Sequence, residues 1–510
     1  MKKDNAITFA ILAISFIVFL FWGFNYINNF SSHHVILFLL ASIFGIFMAC
    51  NIGGNDVANS FGTSVGAKTL TLKQALIVAA VFECSGAIFA GGEVTETIRN
   101  GIVSVSDDTM PMFLVFVMLA ALIASGLWIF LATKKALPVS TTHSIVGGIV
   151  GASLTMGLLD KQIKAMSMVN WDGIFMIALS WVISPLLGGV LAYVIFAYIH
   201  KKIIKPSEEL NKTLKILKIQ KKEFKKQFLL ELNTKNKEEQ IKELSNIILD
   251  DEDKSNSFYK SKLKELKEKE KELNIFSNFN THVPIIGCVS AIIITAMLLL
   301  KGLKEVSSFT LTQGLWIMFV IGALAYLITL AITRIIKKTN LNKTINRMFA
   351  WFQIFTASAF AFSHGANDIS NAIGPFAAIL DILKNNAINT ASPVPSIAMI
   401  MFGIALAAGL YLMGKEVITT VGSKLAEIKP TTGFSAELGA SAVILFATQF
   451  GIPVSSTHIL IGAILGIGLY NHKANFKLMK PIALAWVITL PVTALLASIF
   501  FIILRLIFVL

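Results

Sequence analysis

The sequence predicts an all-α integral membrane protein with two homologous repeats, broken helices, two re-entrant Ser/Thr-rich hairpins and about 11–12 membrane segments. Three observations predict this. Of 510 residues, 55% belong to the hydrophobic set and 15% are charged, with a mean hydropathy of +0.72. Apolar runs of about 20 residues, long enough to cross a hydrocarbon core roughly 30 Å thick, recur along the chain. Four sequence blocks then appear twice, in one order.

The runs lie near 6–28, 34–52, 71–91, 111–133, 172–199, 283–301, 312–337, 348–364, 394–414, 433–450 and 478–509. The first follows Lys2 and Lys3 as a signal peptide would, but it is long and no small-residue cleavage site follows, so it is read as a membrane helix. On this basis the chain divides into an extra N-terminal helix (1–33), a first repeat (34–199), a charged helical linker (200–282), a connecting helix (283–309) and a second repeat (310–510).

The net charge of +14 raises the question of nucleic acid. Between Lys201 and His282 stand 20 of the 44 Lys and Arg and 15 of the 30 Asp and Glu, an excess of only five. "KKEFKKQ" and "KLKELKEKEKEL" mix signs at helical spacing, as a solvated or coiled helix does, so no nucleic-acid partner is expected. Lys201, Lys202 and Lys205 after one run, and Arg334, Lys337, Lys338, Lys343 and Arg347 after another, favour cytoplasmic placement of the linker. Cys50, Cys84 and Cys288 show neither disulfide nor zinc spacing and read as filler.

The duplicated blocks carry the chemistry. "GGNDVANSFG" at 53–62 answers "HGANDISNAIG" at 364–374, pairing Asn55 with Asn367 at an offset of 312. "SGAIFAGGEVTETI" answers "AGLYLMGKEVITTV" at 323, keeping Gly86/Gly409 and Glu93/Glu416. "LPVSTTHSIVGGIVG" answers "IPVSSTHILIGAILG" at 315, and "ALSWVISP" answers "ALAWVITLP". Duplicated membrane halves are common in transporters, whose sites lie between the repeats near the midplane.

Asp56 and Asp368 sit at membrane depth, where an ionisable group is costly enough to be a functional candidate. Glycines beside both, and Pro375 in the second copy, suit a locally opened helix whose freed carbonyls join Asn55, Asn59, Asn367 and Asn371 around a small cation. A structural alternative has the Asn side chains bridging helices and the Asp capping one.

Pro138 and Pro453 suit the first turn of a helix, followed at once by Ser140, Thr141, Thr142 and by Ser455, Ser456, Thr457. Free N–H groups, a positive dipole end and three hydroxyls make each copy an anion cradle, against the plainer reading of Ser/Thr capping. The Gly-rich runs that follow are short and suit hairpins. His143 and His458 are read as buried imidazoles supporting the phrases, and His364, which has no partner in the first half, as weaker still. Glu83 and Glu437 are further acids in apolar stretches, each without an acidic counterpart, and Gln353 is an uncharged polar residue that would line a path.

Together these blocks resemble the inorganic phosphate transporter (PiT) family over about 34–199 and 310–500, with "GGNDVANSFGTSVGAKTLT", "FAFSHGANDISNAIGPFAAI", "EVTETIRNGI", "LPVSTTH", "KPTTGFSAELGAS" and "IPVSSTH" standing for its motifs. The resemblance implies an inverted-repeat carrier taking up inorganic phosphate with sodium or protons by alternating access. It implies phosphate binding by Ser140, Thr141, Thr142, Ser455, Ser456, Thr457, Asn55 and Asn367. Cation binding falls to Asp56, Asn59, Asp368 and Asn371, with sodium at the two Asp positions, and Glu83 and Glu437 match acids needed for transport. The first motif departs with Gly54 for Ala, the second with Ile369-Ser370 for Val-Ala, and every polar ligand stays in place. No further cofactor and no enzyme activity are expected. The lipid bilayer is a partner, a homodimer is the assembly considered, and the location is the plasma membrane, the inner one if the source is Gram-negative. A sulfate carrier of the same fold is the near alternative. An anion channel or membrane phosphatase is the alternative from another class, although neither a nucleophile nor a metal-ligand set is evident.

Overall fold

The computed structural model describes residues 2–27, 32–104, 110–135, 137–159, 165–249, 258–273, 276–299, 310–336, 341–388, 394–424, 428–474 and 476–508. Lys337, Lys338 and the side chain of Glu416 therefore lie outside the described residues. Apart from a single bridge between Val103 and Val169, regular structure among the described residues is helical.

The helices in chain order are α1 (Lys2–Ile27), α2 (Ser32–Gly66), α3 (Leu72–Ala90), α4 (Gly92–Asn100), α5 (Pro111–Lys134), α6 (Thr141–Leu159), α7 (Trp171–Ile199), α8 (Lys205–Thr234) and α9 (Lys237–Leu249). They continue as α10 (Phe258–Glu272), α11 (Ser277–Met297), α12 (Leu311–Ile335), α13 (Leu341–Asp368), α14 (Ser370–Asn385), α15 (Ser396–Lys424), α16 (Pro430–Gln449), α17 (Ser456–Tyr470) and α18 (Phe476–Phe508). Local chemistry sets several starts. At α3, Thr71 accepts from the Gln74 backbone N–H while the Gln74 side chain accepts from the Thr71 N–H, a reciprocal cap. Pro111 and Pro430 open α5 and α16, where a missing N–H costs nothing.

Ten of the described helical stretches are long and apolar enough to cross a membrane, which makes this a multi-pass membrane protein. Two expected spans, 348–364 and 433–450, form α13 and α16 but are not among the ten. Both carry polar side chains at depth, including Gln353, Thr356, Ser363, Ser435, Glu437 and Ser441, all buried in protein.

One compact unit comprises Met1–Ala197, Val289–Ala323 and Met348–Leu510, so it holds both repeats except 198–199 and 324–347. The other comprises Tyr198–Cys288 and Leu324–Arg347. In the latter, Phe224 stacks on Tyr259 and Phe228 packs against the same ring, joining α8 to α10, and Lys221 pairs with Glu270.

Within the first unit the repeats interlock. A Cβ on Gly53 of α2 would overlap the Leu406 carbonyl of α15, and one on Gly409 of α15 would overlap the Cys50 carbonyl of α2. The equivalent positions behave alike, with Gly365 of α13 against Glu83 of α3 and Gly86 of α3 against Phe362 of α13. Gly151 of α6 meets Ala494 of α18, and Gly466 of α17 meets Gly189 of α7. Each crossing thus joins one helix from each half at backbone contact, as small residues permit in membranes.

One expectation is corrected here. The first Asn-Asp motif does not break its helix, because α2 runs unbroken from Ser32 to Gly66. Its glycines serve the approach of α15 instead. Only the second copy breaks, α13 ending at Asp368 and α14 starting at Ser370. Pro375, whose equivalent in α2 is Thr63, lies inside α14, past the break. Around Ile369 the ladder tightens, with the Ala372 N–H donating to the Ile369 carbonyl at 3.0 Å.

Candidate functional site

The two Pro-Val-Ser phrases start α6 and α17. Ser140 Oγ accepts from the His143 N–H at 3.2 Å and Ser455 Oγ from the His458 N–H at 3.4 Å, so both serines act as helix caps. The capping alternative holds for these two hydroxyls. Of the next two in each phrase, Thr141, Thr142 and Thr457 turn to the opposite half of the chain, and Ser456 turns to Asp368 of its own half.

Asn59 Nδ2 donates to Thr457 Oγ1 at 2.7 Å, and Asn371 Nδ2 donates to Thr142 Oγ1 at 3.2 Å and Thr141 Oγ1 at 3.3 Å. Thr457 also donates to Asp56 Oδ1 at 3.2 Å, and Ser456 to Asp368 Oδ2 at 2.6 Å. Thr142 donates to the Val454 carbonyl at 3.1 Å, which brings the phrases against each other. All these side chains are buried. The His143 and His458 rings lie 4.5 Å apart, with the tilted Trp181 ring 3.8 Å from His143, so the imidazoles pack between the phrases.

Asn55 and Asn367 do something different. Asn55 Nδ2 donates to Thr133 Oγ1 at 2.9 Å and to the Leu137 carbonyl at 3.1 Å, while its Oδ1 accepts from the Val139 N–H at 3.1 Å. Asn367 Nδ2 donates to the Val454 carbonyl at 2.7 Å and its Oδ1 accepts from the Val454 N–H at 3.3 Å. Val139 and Val454 are equivalent residues of the two phrases. These amides, expected as phosphate ligands, are engaged with the phrase backbones.

Asp56 and Asp368 meet at His364, which spacing had ranked low. His364 Nε2 lies 2.7 Å from Asp368 Oδ2 and 3.9 Å from Asp56 Oδ2, and its Nδ1 lies 3.1 Å from Glu83 Oε1. Ser60 donates to the same Glu83 oxygen at 3.0 Å. Ligand atoms of Asp56, His364 and Asp368 all fall within 4.8 Å of one another, close enough to hold one metal ion. Three buried carboxylates around one imidazole leave negative charge with little solvent to offset it, an arrangement that favours a bound cation.

Glu437 stands apart from this cluster. Thr356 donates to it at 2.7 Å, Ser64 at 2.9 Å and Gln353 Nε2 at 3.1 Å, and Thr63 donates as well. Thr69, three residues past α2, donates to Gln353 Oε1 at 2.6 Å, extending the polar chain. The equivalents of His364, Glu83 and Glu437 in the other half are Ile52, Leu406 and Leu122, so this part of the site is polar in one copy only. Thr133, Ser60 and Thr63 were not singled out from the sequence, since an isolated Ser or Thr in an apolar run carries no signal.

A model of the phosphate transporter family matches residues 52–497. A Mycobacterium bovis protein named as a phosphate permease is 45% identical over 510 positions, covering 98% of this chain and 92% of its own. A Pyrococcus furiosus protein of similar name is 32% identical over 472 positions, covering 91% of this chain and 95% of its own. Among solved structures, a sodium-dependent phosphate transporter superposes with a TM-score of 0.73 at 27% identity, over 92% of this chain and all of that one. The sulfate alternative gains no support from these relatives.

Proposed function

The chain belongs to the phosphate transporter family, and from that membership we propose that it carries inorganic phosphate together with sodium by alternating access between its two repeats. The observation that carries this is the reciprocal pairing of the halves, with Thr457 bonded to Asp56 and Asn59 of the first half and Thr141 and Thr142 bonded to Asn371 of the second. Phosphate would take over the donors of Thr141, Thr142, Ser456 and Thr457 and the first-turn N–H groups behind them. These groups meet an oxyanion without arginine.

Asp56 and Asp368 would hold the coupling cation, with Asn59 and Asn371 between the cation and the hydroxyls. The cation offsets the charge of phosphate beside two carboxylates, so each is held more tightly when the other is bound. The sodium dependence named for the solved relative supports sodium as that cation. A proton is the second reading, favoured by the position of His364 between Asp368 and Glu83. Helix pairs α5/α6 and α16/α17 would form the two hairpins, entering from opposite faces as inverted repeats require.

The test is uptake of labelled phosphate into proteoliposomes under an imposed sodium gradient, compared with an imposed proton gradient. Accumulation driven by sodium supports the reading, and accumulation driven by protons alone moves it to the second. Flux that depends on neither gradient, merely running down the phosphate gradient, overturns both in favour of a channel.

A further inference from the structure

We propose that Asn55 and Asn367 are the residues that couple the cation to the anion, acting as positioning groups rather than phosphate ligands. The inference rests on the reading of a cation-coupled carrier given above. Each asparagine precedes the aspartate of its motif, Asp56 or Asp368, which stands in the acid cluster. Each also grips the backbone of its own half's phrase at one equivalent residue, Val139 or Val454, one position before the capping serine. Adjacent side chains on one helix therefore face the two halves of the chemistry.

The bonding supports a mechanical role. Asn55 holds three partners at once, Thr133 on α5 and the Leu137 and Val139 backbone just ahead of α6. It thereby fixes the two arms of the α5/α6 hairpin relative to each other and to α2. A rotation of α2 or α13 that draws Asp56 or Asp368 onto a cation must carry the attached phrase with it. The first-turn N–H groups of α6 or α17 are re-aimed by the same movement. Asn59 and Asn371, which reach across to hydroxyls of the other half, have no such grip on a backbone. The four asparagines thus divide into two that move the cradles and two that stand between the halves.

Coupling between two ligands is a ratio of affinities, usually about 5- to 150-fold, and is measured apart from affinity itself. Phosphate affinity of the purified full-length chain is measured by calorimetry with inorganic phosphate, once in sodium and once with choline in its place. The wild type should bind at least about fivefold tighter in sodium. In Asn55→Ala the ratio should collapse towards one, whatever the absolute affinity. Thr133→Val removes a partner of Asn55 without touching the motif, guards against a folding failure of the first variant, and should reduce the same ratio. If Asn55→Ala weakens binding by one factor in both media and keeps the ratio, the asparagine is a ligand and the inference fails. An unchanged ratio in Thr133→Val also counts against it. If the wild type shows no sodium dependence, the cation-coupled reading itself falls.

Discussion

At the scale of single residues, the site separates groups that look alike in the sequence. Ser455 and Ser456 are neighbours, yet Ser455 caps α17 and Ser456 donates to Asp368. Ser455→Ala should cost about 1 kcal/mol of stability, and Ser455→Gly only a few tenths of that, with little change in phosphate KM. Ser456→Ala should instead raise phosphate KM while thermal unfolding of the purified protein moves less. If the two alanine variants behave alike, the division between cap and ligand is wrong. The two aspartates, the hydroxyls and the two asparagine pairs were legible from the duplicated motifs, and Glu83 and Glu437 only as lone acids in apolar runs. His364 was not, because the argument from repetition discounts a residue without a partner. Its place follows from α3 lying against α13, which brings Glu83 to its ring, and no local spacing encodes that crossing.

At the scale of helices, the membrane runs were legible because apolar length is a local property. The course of α2 through its Asn-Asp motif was not, since glycine can open a helix or admit a neighbour and the sequence does not say which. The structure assigns Gly53 and Gly409 to the contact of α2 with α15. Gly53→Ala should therefore destabilise by about 1–3 kcal/mol through overpacking, as should Gly365→Ala at the equivalent crossing of α13 with α3. Comparing detergent-solubilised melting of the two variants checks this, and a neutral effect at either would show that the crossing has room. In α10, Lys262 and Lys269 hold the partly exposed Glu265 carboxyl down to about 2. Its folded pKa lies below its unfolded one, so any contribution to stability is present above the ordinary carboxylate range and is lost as pH falls towards about 2. Glu265→Gln should leave uptake at neutral pH unchanged, and a loss there would assign the linker a part in transport.

At the scale of the whole molecule, the repeats agree in their Ser/Thr phrases and Asn-Asp motifs and differ in their other buried charges. The hydroxyl phrases, the four asparagines and the glycine crossings occur in both halves, which is why the architecture could be inferred from sequence alignment of the chain with itself. His364, Glu83 and Glu437 occur once, and so does the buried pair of Arg99 in α4 with Asp381 in α14, 3.0 Å apart. That pair ties a first-half helix to the one that begins two residues after Asp368. Removing one partner, as in Arg99→Met, should cost about 3–5 kcal/mol, whereas the double change Arg99→Met with Asp381→Leu should recover much of it. A double variant as unstable as the single one would show that the pair holds more than its own charges. The central claim is that both Asn-Asp motifs serve one site between the halves. It is tested most directly by labelled-phosphate uptake under an inward sodium gradient in Asp56→Asn and Asp368→Asn, with membrane insertion confirmed for each. Each variant should lose coupled uptake on its own, and normal uptake by either would contradict a single shared site.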